Sequence, residues 1–299
     1  MAITTTATLD LIKTGIDLVT TIQTKAAKET WRDIAEVINH DKGYYRERIL
    51  ASFSDMQTLA EGDAVVSDVK RSLYTVDVYP QRFAKAFELT LDMKEDDVYK
   101  QVPKFAQEIV KIRRRRRNKE VCNLFNNGFD TNYPIYDAAA LFSASHPGVG
   151  SVTGSNLTTA TSLGPIVLED MMLSLMQHTD PMGEPMEFEG RMKLYTGVPL
   201  MGLATRILGS EKLAGGNDND PNVTGRYITY SMQRFLTDTD AFFLRMADAD
   251  EHGLRLIEFT QPFMDTDKEL RSFTQLYAFM ERYNTAVLQW QGVQGCAGS

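Results

Sequence analysis

Residues 95–128 read EDDVYKQVPKFAQEIVKIRRRRRNKEVCNLFNNG, and this stretch predicts one long helix with five consecutive arginines in its second half. Apolar residues recur every three or four positions between Val98 and Ile112, which places them on one helical face. Pro103 suits the first turn of a helix, and the Asn-Asn-Gly at 126–128 is a stop signal. We therefore expect the regular helix to begin just before Pro103 and to end at this signal.

The apolar face of the helix changes sides along its length. Val121 follows Ile112 by nine residues, which at roughly 100° per residue brings it about half a turn round the axis. The arginines, Arg113, Arg114, Arg115, Arg116 and Arg117, occupy the changeover. Five consecutive residues of a helix point in every direction, so we expect some of these side chains to face protein rather than water. The pattern predicts a helix that is packed between two neighbours.

Composition sets the broad class of the protein. The chain has 299 residues, 43% of them hydrophobic, and a net charge of -8. A core of one or two domains is therefore expected, and the acidic balance argues against a general nucleic-acid binder. The two cysteines suggest no disulfide framework, and the chain has neither a membrane-length apolar run nor a signal-peptide pattern. We expect the protein to be made and kept in a cytoplasm.

Two runs before the long helix alternate like strands. Tyr74, Val76 and Val78 form the first run, and Phe83 and Phe87 belong to the second, which follows Pro80. The pattern predicts a long two-stranded hairpin. A ribbon of two strands is barely stable alone in water, so the hairpin either packs on its own domain or lies as an arm on a neighbouring subunit.

The remaining segments mix helices and strands. A Thr-rich tail and a helical pattern precede the hairpin, and a loop rich in Ser, Thr, Gly and Asn follows the long helix at 129–165. This order of elements predicts the α+β class. The later elements are a helix at 165–178, a strand at 192–196, a helix from Pro199, a turn-rich loop at 214–225, and strands at 227–231, 241–246, 254–259, 272–281 and 285–291.

No catalytic, cofactor or metal site is predicted. His146 lies close to Ser143 and Ser145, but no orienting acid is evident nearby in the sequence, so a polar loop is expected. The other histidines lack the spacing of metal ligands, and the acidic turns lack the series of a calcium loop.

Four short motifs occur in a characteristic order: LFNNGF at 124–129, LFSASHP at 141–147, GSNL at 154–157 and LQWQG at 288–292. Together with the order of arm, hairpin, long helix and closing strands, they resemble the major capsid protein of tailed phages, which has the HK97-like fold. The similarity is greatest to the Mu-type major head subunit branch and covers essentially the whole chain.

The resemblance implies a division into five parts. These are an N-terminal arm at 1–50, an extended hairpin loop at 51–95, a peripheral domain with a spine helix at 96–164, an axial domain at 165–265, and return strands with a C-terminal tail at 266–299. It implies a non-enzymatic protein of the virion that is assembled in the host bacterial cytoplasm. The implied partners are further copies in hexamers and pentamers, a separate scaffolding protein, a portal, a decoration protein and packaged double-stranded DNA, with no membrane. An encapsulin-like compartment and a soluble hydrolase are the alternatives.

On this interpretation there are three hypotheses for the arginine run: a solvated face, contact with packaged DNA, or pairing with acids of a neighbouring subunit. We expect inter-subunit pairing for at least two of Arg113 to Arg117 and DNA contact for the rest. Tyr74, Val76, Val78, Phe83 and Phe87 are the candidate interface residues of the hairpin.

Overall fold

The structure is a computed structural model that describes residues 29–90, 102–212, 221–269 and 274–299, apart from residues 52, 54, 55, 57, 61, 63, 65, 66, 68–71, 189 and 249. The predicted helical pattern near the N-terminus and most of the turn-rich loop at 214–225 lie outside these residues. Four helices are described: α1 (Val102–Asn126), α2 (Pro165–Met176), α3 (Met201–Gly209) and α4 (Thr224–Tyr227). None of the described helices is both long enough and apolar enough to cross a membrane.

A four-stranded sheet runs in the order β1-β11-β12-β4. Its strands are β1 (Glu36–Asn39), β4 (Gln81–Thr90), β11 (Leu254–Glu269) and β12 (Thr274–Val287). β1 pairs with β11 in parallel, and the other two pairings are antiparallel. Along β12 the buried residues alternate with partly exposed ones, as expected for a strand with one face on the core. Glu281 belongs to this buried face.

A five-stranded sheet runs in the order β7-β13-β10-β8-β9. All residues of the central strand β10 are buried, because both faces of the sheet are covered. Phe242, Leu244 and Met246 pack with the apolar residues of α2 and α3, while Phe243 stacks on Phe125 of α1 with ring centroids 4.7 Å apart. The strands are β7 (Leu157–Thr158), β8 (Met192–Thr196), β9 (Ile228–Met232), β10 (Phe242–Met246) and β13 (Val293–Cys296).

Helix α1 begins at Val102 and ends at Asn126, as the proline and the Asn-Asn-Gly signal predict. The segment 95–101 of the predicted helix lies outside the described residues. Ile109 and Val110 are buried near the start of the helix, and Val121 and Phe125 are fully buried near its end. Val110 and Val121 are eleven residues apart, which is about 20° round the axis, and the buried Arg113 and Arg117 lie between them on the same side. The predicted change of apolar face is therefore wrong: one buried stripe, part apolar and part arginine, runs along the helix.

The predicted hairpin is wrong in its pairing. The strand β3 (Ser72–Val78) pairs with β2 (Tyr45–Leu50), whereas β4 pairs with β12 of the four-stranded sheet. The Tyr79–Pro80 step therefore leads the chain from one sheet into another. Long-range contacts override the local pattern, because Phe83 and Phe87 of β4 stack on Tyr283 and Tyr277 of β12. The true hairpin begins at Tyr45, so a boundary at residue 50/51 would cut through it.

Most of the other predicted elements are present. The helix at 165–176, the strand at 192–196 and the strands β9 and β10 lie within two residues of their predicted bounds. The strand predicted at 254–259 continues to residue 269, and those predicted at 272–281 and 285–291 are replaced by one strand that ends at residue 287. The α+β class is confirmed. A short ribbon of β5 (His146–Pro147) and β6 (Thr153–Gly154) lies in the loop after α1, and a 3-10 turn spans Thr30–Asp33.

Candidate functional site

Two arginines of the run point into the chain's own interior. Arg117 and Arg113 are 1% and 7% exposed, which confirms that part of the run faces protein. The Nη2 atom of Arg117 lies 2.6 Å from Glu281 and 2.5 Å from Glu258, and the Nε atom of Arg113 lies 2.9 Å from Glu281. Arg113 also approaches Glu29 at 3.7 Å. These bonds fix α1 on β11 and β12 through charge-assisted contacts.

The two guanidinium groups of the buried network face three carboxylates. Burial alone would lower the pKa of Arg117, but the carboxylates of Glu281 and Glu258 more than offset this effect, so its pKa is raised. The guanidinium also lies 5.0 Å from the ring centroid of Tyr283 and 5.7 Å from that of Trp31. A guanidinium favours the face of an aromatic ring, so these rings provide a suitable lining for a buried cation.

The remaining three arginines lie outside the network. Arg116 bonds to Glu120 at 2.5 Å and lies over the ring of Phe83 at 5.0 Å. Arg114 and Arg115 line an open groove beside the helix, and neither has a carboxylate within 4.0 Å in the part of the chain that the structure describes. The predicted inter-subunit or DNA contacts are therefore wrong for Arg113 and Arg117, because both side chains are buried in their own chain and paired with its carboxylates. For Arg114, Arg115 and Arg116 these contacts stay a prediction.

The candidate hairpin residues all contact their own chain. The Tyr74 hydroxyl donates to the carbonyl of Pro147 at 3.2 Å, and Val76 and Val78 pack with Ile257 and other residues of a small core cluster. Phe83 and Phe87 stack on rings of β12 at 4.5 and 4.9 Å. Only Tyr74, Val76 and Val78 belong to the true hairpin. A role for any of the five at an interface stays a prediction.

A buried polar cluster that the sequence did not predict surrounds His146. The Nδ1 atom of this ring lies 2.6 Å from Asp137, its Nε2 atom lies 3.0 Å from Asn156, and its plane stacks on Trp290 at 4.2 Å. The amide of Asn156 donates to the carbonyl of Leu141 at 2.7 Å, so its oxygen faces the histidine. Two oxygen atoms, of Asp137 and of Asn156, therefore face the two ring nitrogens of His146.

This cluster joins three of the sequence motifs that carry the resemblance. Asp137 lies nine residues before His146 and Asn156 ten residues after it, so the statement that no orienting acid lies nearby is wrong. The cluster is not a nucleophile–base pair, because Asp137 and Asn156 engage both ring nitrogens and the Ser143 hydroxyl donates to the carbonyl of Ser145 at 3.2 Å. The signal available in the sequence was the presence of Asp137, His146 and Asn156 in one loop, since these side chains can bond to one another. Among the described residues no group of three or more side chains is arranged to hold a metal.

Comparison with known proteins defines the class. A family model described as "Phage capsid protein" matches residues 73–294. The fold is similar to the procapsid subunit of bacteriophage JBD30, with 15% identity and a TM-score of 0.56 over 97% of this chain and 75% of that chain. It is also similar to the capsid subunit of a native GTA particle, with 12% identity and a TM-score of 0.57 over 90% of each chain. A virus-like particle from Pyrococcus furiosus matches with 9% identity and a TM-score of 0.54 over 96% of this chain and 98% of that chain.

The fold is therefore that of capsid shell subunits, the HK97-like fold. The family match covers most of the chain, and the chain belongs to the phage capsid protein family. It is a structural capsid protein, as the sequence motifs predicted. Comparison with curated proteins gives no match. The Mu-type branch stays a prediction.

Proposed function

We propose that many copies of this major capsid protein assemble, through hexamers and pentamers, into an icosahedral shell that encloses the double-stranded DNA genome of a tailed phage. Each protomer contributes heterologous contacts whose rotations close into rings. Individually modest interfaces then add up through their multiplicity. Membership of the phage capsid protein family supports the proposed shell. The exposed apolar side chains of the hairpin support a proposal for how neighbouring subunits join.

Exposed apolar side chains concentrate on the hairpin, and this observation carries the assembly proposal. Leu50, Phe53, Met56 and Leu59 are 42%, 55%, 96% and 49% exposed. They occupy the end of β2 and the described part of the segment that leads to β3. A set of large apolar groups left exposed on one extended element is typical of a protein interface. We infer that this hairpin lies on a neighbouring subunit and buries these side chains there.

The proposed domains follow the predicted division with corrected limits. The hairpin spans residues 45–78, the four-stranded sheet and α1 form the peripheral domain, and the five-stranded sheet with α2 and α3 forms the axial domain. Residues 293–296 pair with β10 and β7, and this pairing supports the inclusion of the C-terminal strand in the proposed axial domain. The predicted tip at 214–225 adjoins α4, and we propose that it surrounds the five-fold and six-fold axes.

The proposed partners are those of a phage head. A separate scaffolding protein and a portal would direct closure of the shell in the host cytoplasm, and a decoration protein would bind outside it. An encapsulin-like compartment is the second candidate, because the likeness to a virus-like particle extends over nearly the whole of both chains. Purified particles that contain DNA support the phage head, whereas a cargo enzyme supports the compartment.

Replacement of Met56 and Leu59 by serine tests the assembly proposal. We expect the double variant to stay folded by circular dichroism but to lose shells in electron microscopy, because the neighbour loses its apolar contacts. Leu173→Ser is the matched control, since Leu173 is 47% exposed on α2; it should form normal shells. Normal shells from the double variant would contradict the hairpin contact, and absence of shells from the wild-type chain, even with a scaffold, would contradict the capsid function.

A further inference from the structure

An open groove of about 720 Å³ runs along one side of α1, and four of the residues that line it are cations. Lys111, Arg114 and Arg115 come from the helix, and Arg234 comes from the segment after β9. Among the described residues that line the groove, Glu108 is the one acid. This local excess of positive charge is opposite in sign to the net charge of -8 carried by the whole chain.

The cations of the groove lack acidic partners. In the described ranges, none of these four side chains has a carboxylate within the 4.0 Å of an ion pair, whereas Arg113, Arg116 and Arg117 each have one at 2.9 Å or less. Arg113, Arg116 and Arg117 thus have acidic partners. Arg114 and Arg115 leave the helix in other directions and have none among the described residues. Unpaired cations on both walls of a groove repel each other, so an anion that enters it is favoured.

The positions of the cations are fixed by two elements. Arg114 and Arg115 follow Lys111 by three and four residues, which puts both of them beside Lys111 on the next turn of the helix. Arg234 is held opposite because the side-chain amide of Asn126 donates to the carbonyl of Phe235 at 3.0 Å, and the amide of Thr237 donates to Asn126 at 3.0 Å. A linear polyanion that lies between the two walls therefore meets several cations at once.

The apolar side chains that line the groove, Ile112, Met232 and Phe235, are partly buried, whereas most of its cations are exposed. Among the described residues, none of the large apolar side chains that the chain exposes lines it. Protein interfaces usually have an apolar core with charges at the rim, as the hairpin offers with Phe53, Met56 and Leu59. A groove whose exposed lining is mostly cationic suits phosphate groups, whose binding depends on charge and needs no base contacts.

We propose that this groove binds the phosphate backbone of the packaged DNA, independently of sequence. The inference rests on the proposed capsid function and assigns the inner-face contact to Lys111, Arg114, Arg115 and Arg234. Release of counterions from the DNA drives the binding, so the affinity falls steeply with salt. The rest of the chain is acidic and repels DNA, so the DNA binds to the subunit mainly at the groove.

The test compares two triple variants of the full-length capsid protein with equal changes of charge. Arg114→Gln, Arg115→Gln and Arg234→Gln remove groove cations, whereas Arg191→Gln, Arg206→Gln and Arg226→Gln remove exposed cations elsewhere. Binding to a fluorescent duplex is measured by anisotropy at several salt concentrations. At ~0.9 per phosphate contact on duplex DNA, the groove triple should reduce the salt slope by about 2 to 3 and weaken binding at least about tenfold. The control triple should keep the wild-type slope and should change affinity less than about threefold.

Equal losses in the two triples would overturn the proposal, because binding would then follow net charge alone. Selective loss of poly-glutamate binding, with DNA binding intact, would also overturn it and identify an acidic polypeptide as the occupant. If the groove triple fails to fold, Arg115→Gln alone should still reduce the slope by about 0.9. Electron microscopy separates this inference from the capsid function: wild-type shells with no groove effect refute only the groove.

Discussion

Arg117 on α1 lies 2.6 Å from Glu281 on β12, and both residues are 1% exposed. The pair joins residues 164 positions apart and fixes the direction in which α1 crosses the four-stranded sheet. Glu281 also accepts from Arg113 at 2.9 Å, so one carboxylate serves two guanidinium groups one turn apart. A buried charge is tolerated only when it is paired, and the helix is therefore committed to this position on the sheet.

Glu281→Gln should destabilise the subunit strongly. The variant leaves Arg113 and Arg117 buried with less compensating charge, a situation that costs about 3–5 kcal/mol when one partner of a buried pair is removed. Urea unfolding of the unassembled protein measures the change. Glu120→Gln is the control, because its partner Arg116 is half exposed, and it should change the free energy of unfolding by no more than about 1 kcal/mol. Equal effects of the two substitutions would contradict the buried network.

Asp137→Ala should loosen the loop that follows α1. The substitution removes the carboxylate 2.6 Å from His146 and leaves the Nδ1 atom of the buried ring without its partner, which we expect to cost about 1–3 kcal/mol. Ser143→Ala is expected to stay within about 0.5 kcal/mol, as typical of surface substitutions. Thermal unfolding and the fluorescence of Trp290, which stacks on His146, report the change. A larger loss from Ser143→Ala than from Asp137→Ala would contradict this assignment.

Buried histidines should make the subunit less stable as the pH falls. Burial, followed by the charges of Arg245, Arg255 and Lys193, lowers the pKa of His252 to about 2. In the unfolded chain its pKa is about 6.5, so below this pH the unfolded state binds a proton that the folded state does not. The stabilisation is complete above about pH 6.5 and is lost at up to about 1.4 kcal/mol per pH unit below it. Burial lowers the pKa of His178 as well, which acts in the same direction.

Urea unfolding between pH 6.5 and 5 measures this slope. His252→Asn removes the titrating group from both states, so the slope should fall by up to about 1.4 kcal/mol per pH unit, whatever the substitution costs in stability. An unchanged slope in the variant would show that His252 does not supply the pH dependence.

Two glycines should respond oppositely to alanine. A Cβ at Gly292 would lie 1.9 Å from the carbonyl oxygen of Glu251, so the backbone would have to move. Overpacking of this kind costs about 1–3 kcal/mol. At Gly202, in α3, no heavy atom of the described residues lies within 4 Å of an added Cβ, and alanine should stabilise the helix by about 0.5–1 kcal/mol. Melting temperatures measured on the two variants should therefore shift in opposite directions.

Local signals were sufficient to predict the helices and several strands. Pro103 and the Asn-Asn-Gly at 126–128 mark the ends of α1, and Met192–Thr196 is a strand at its predicted limits. Such signals act through the backbone of a few neighbouring residues, so they are readable without knowledge of the rest of the fold. The order of elements then gave the α+β class, and the short motifs gave the capsid family.

Strand pairing depended on the tertiary structure. The runs that contain Tyr74 and Phe83 look like the two arms of one hairpin, yet they join different sheets, because ring stacking on β12 holds β4 there. Contacts of this kind join residues far apart in the chain, and alternation along one strand does not specify its partner.

The sequence by itself determined that a basic helix of about this length lies at the centre of a capsid subunit, because helical periodicity and end signals are local. Only the tertiary structure decided what each arginine does. Its packing turns Arg113 and Arg117 inward to Glu281 and leaves Arg114 and Arg115 in an open groove. The reason is geometric. Successive helical residues point about 100° apart, so five identical side chains face different neighbours of the helix.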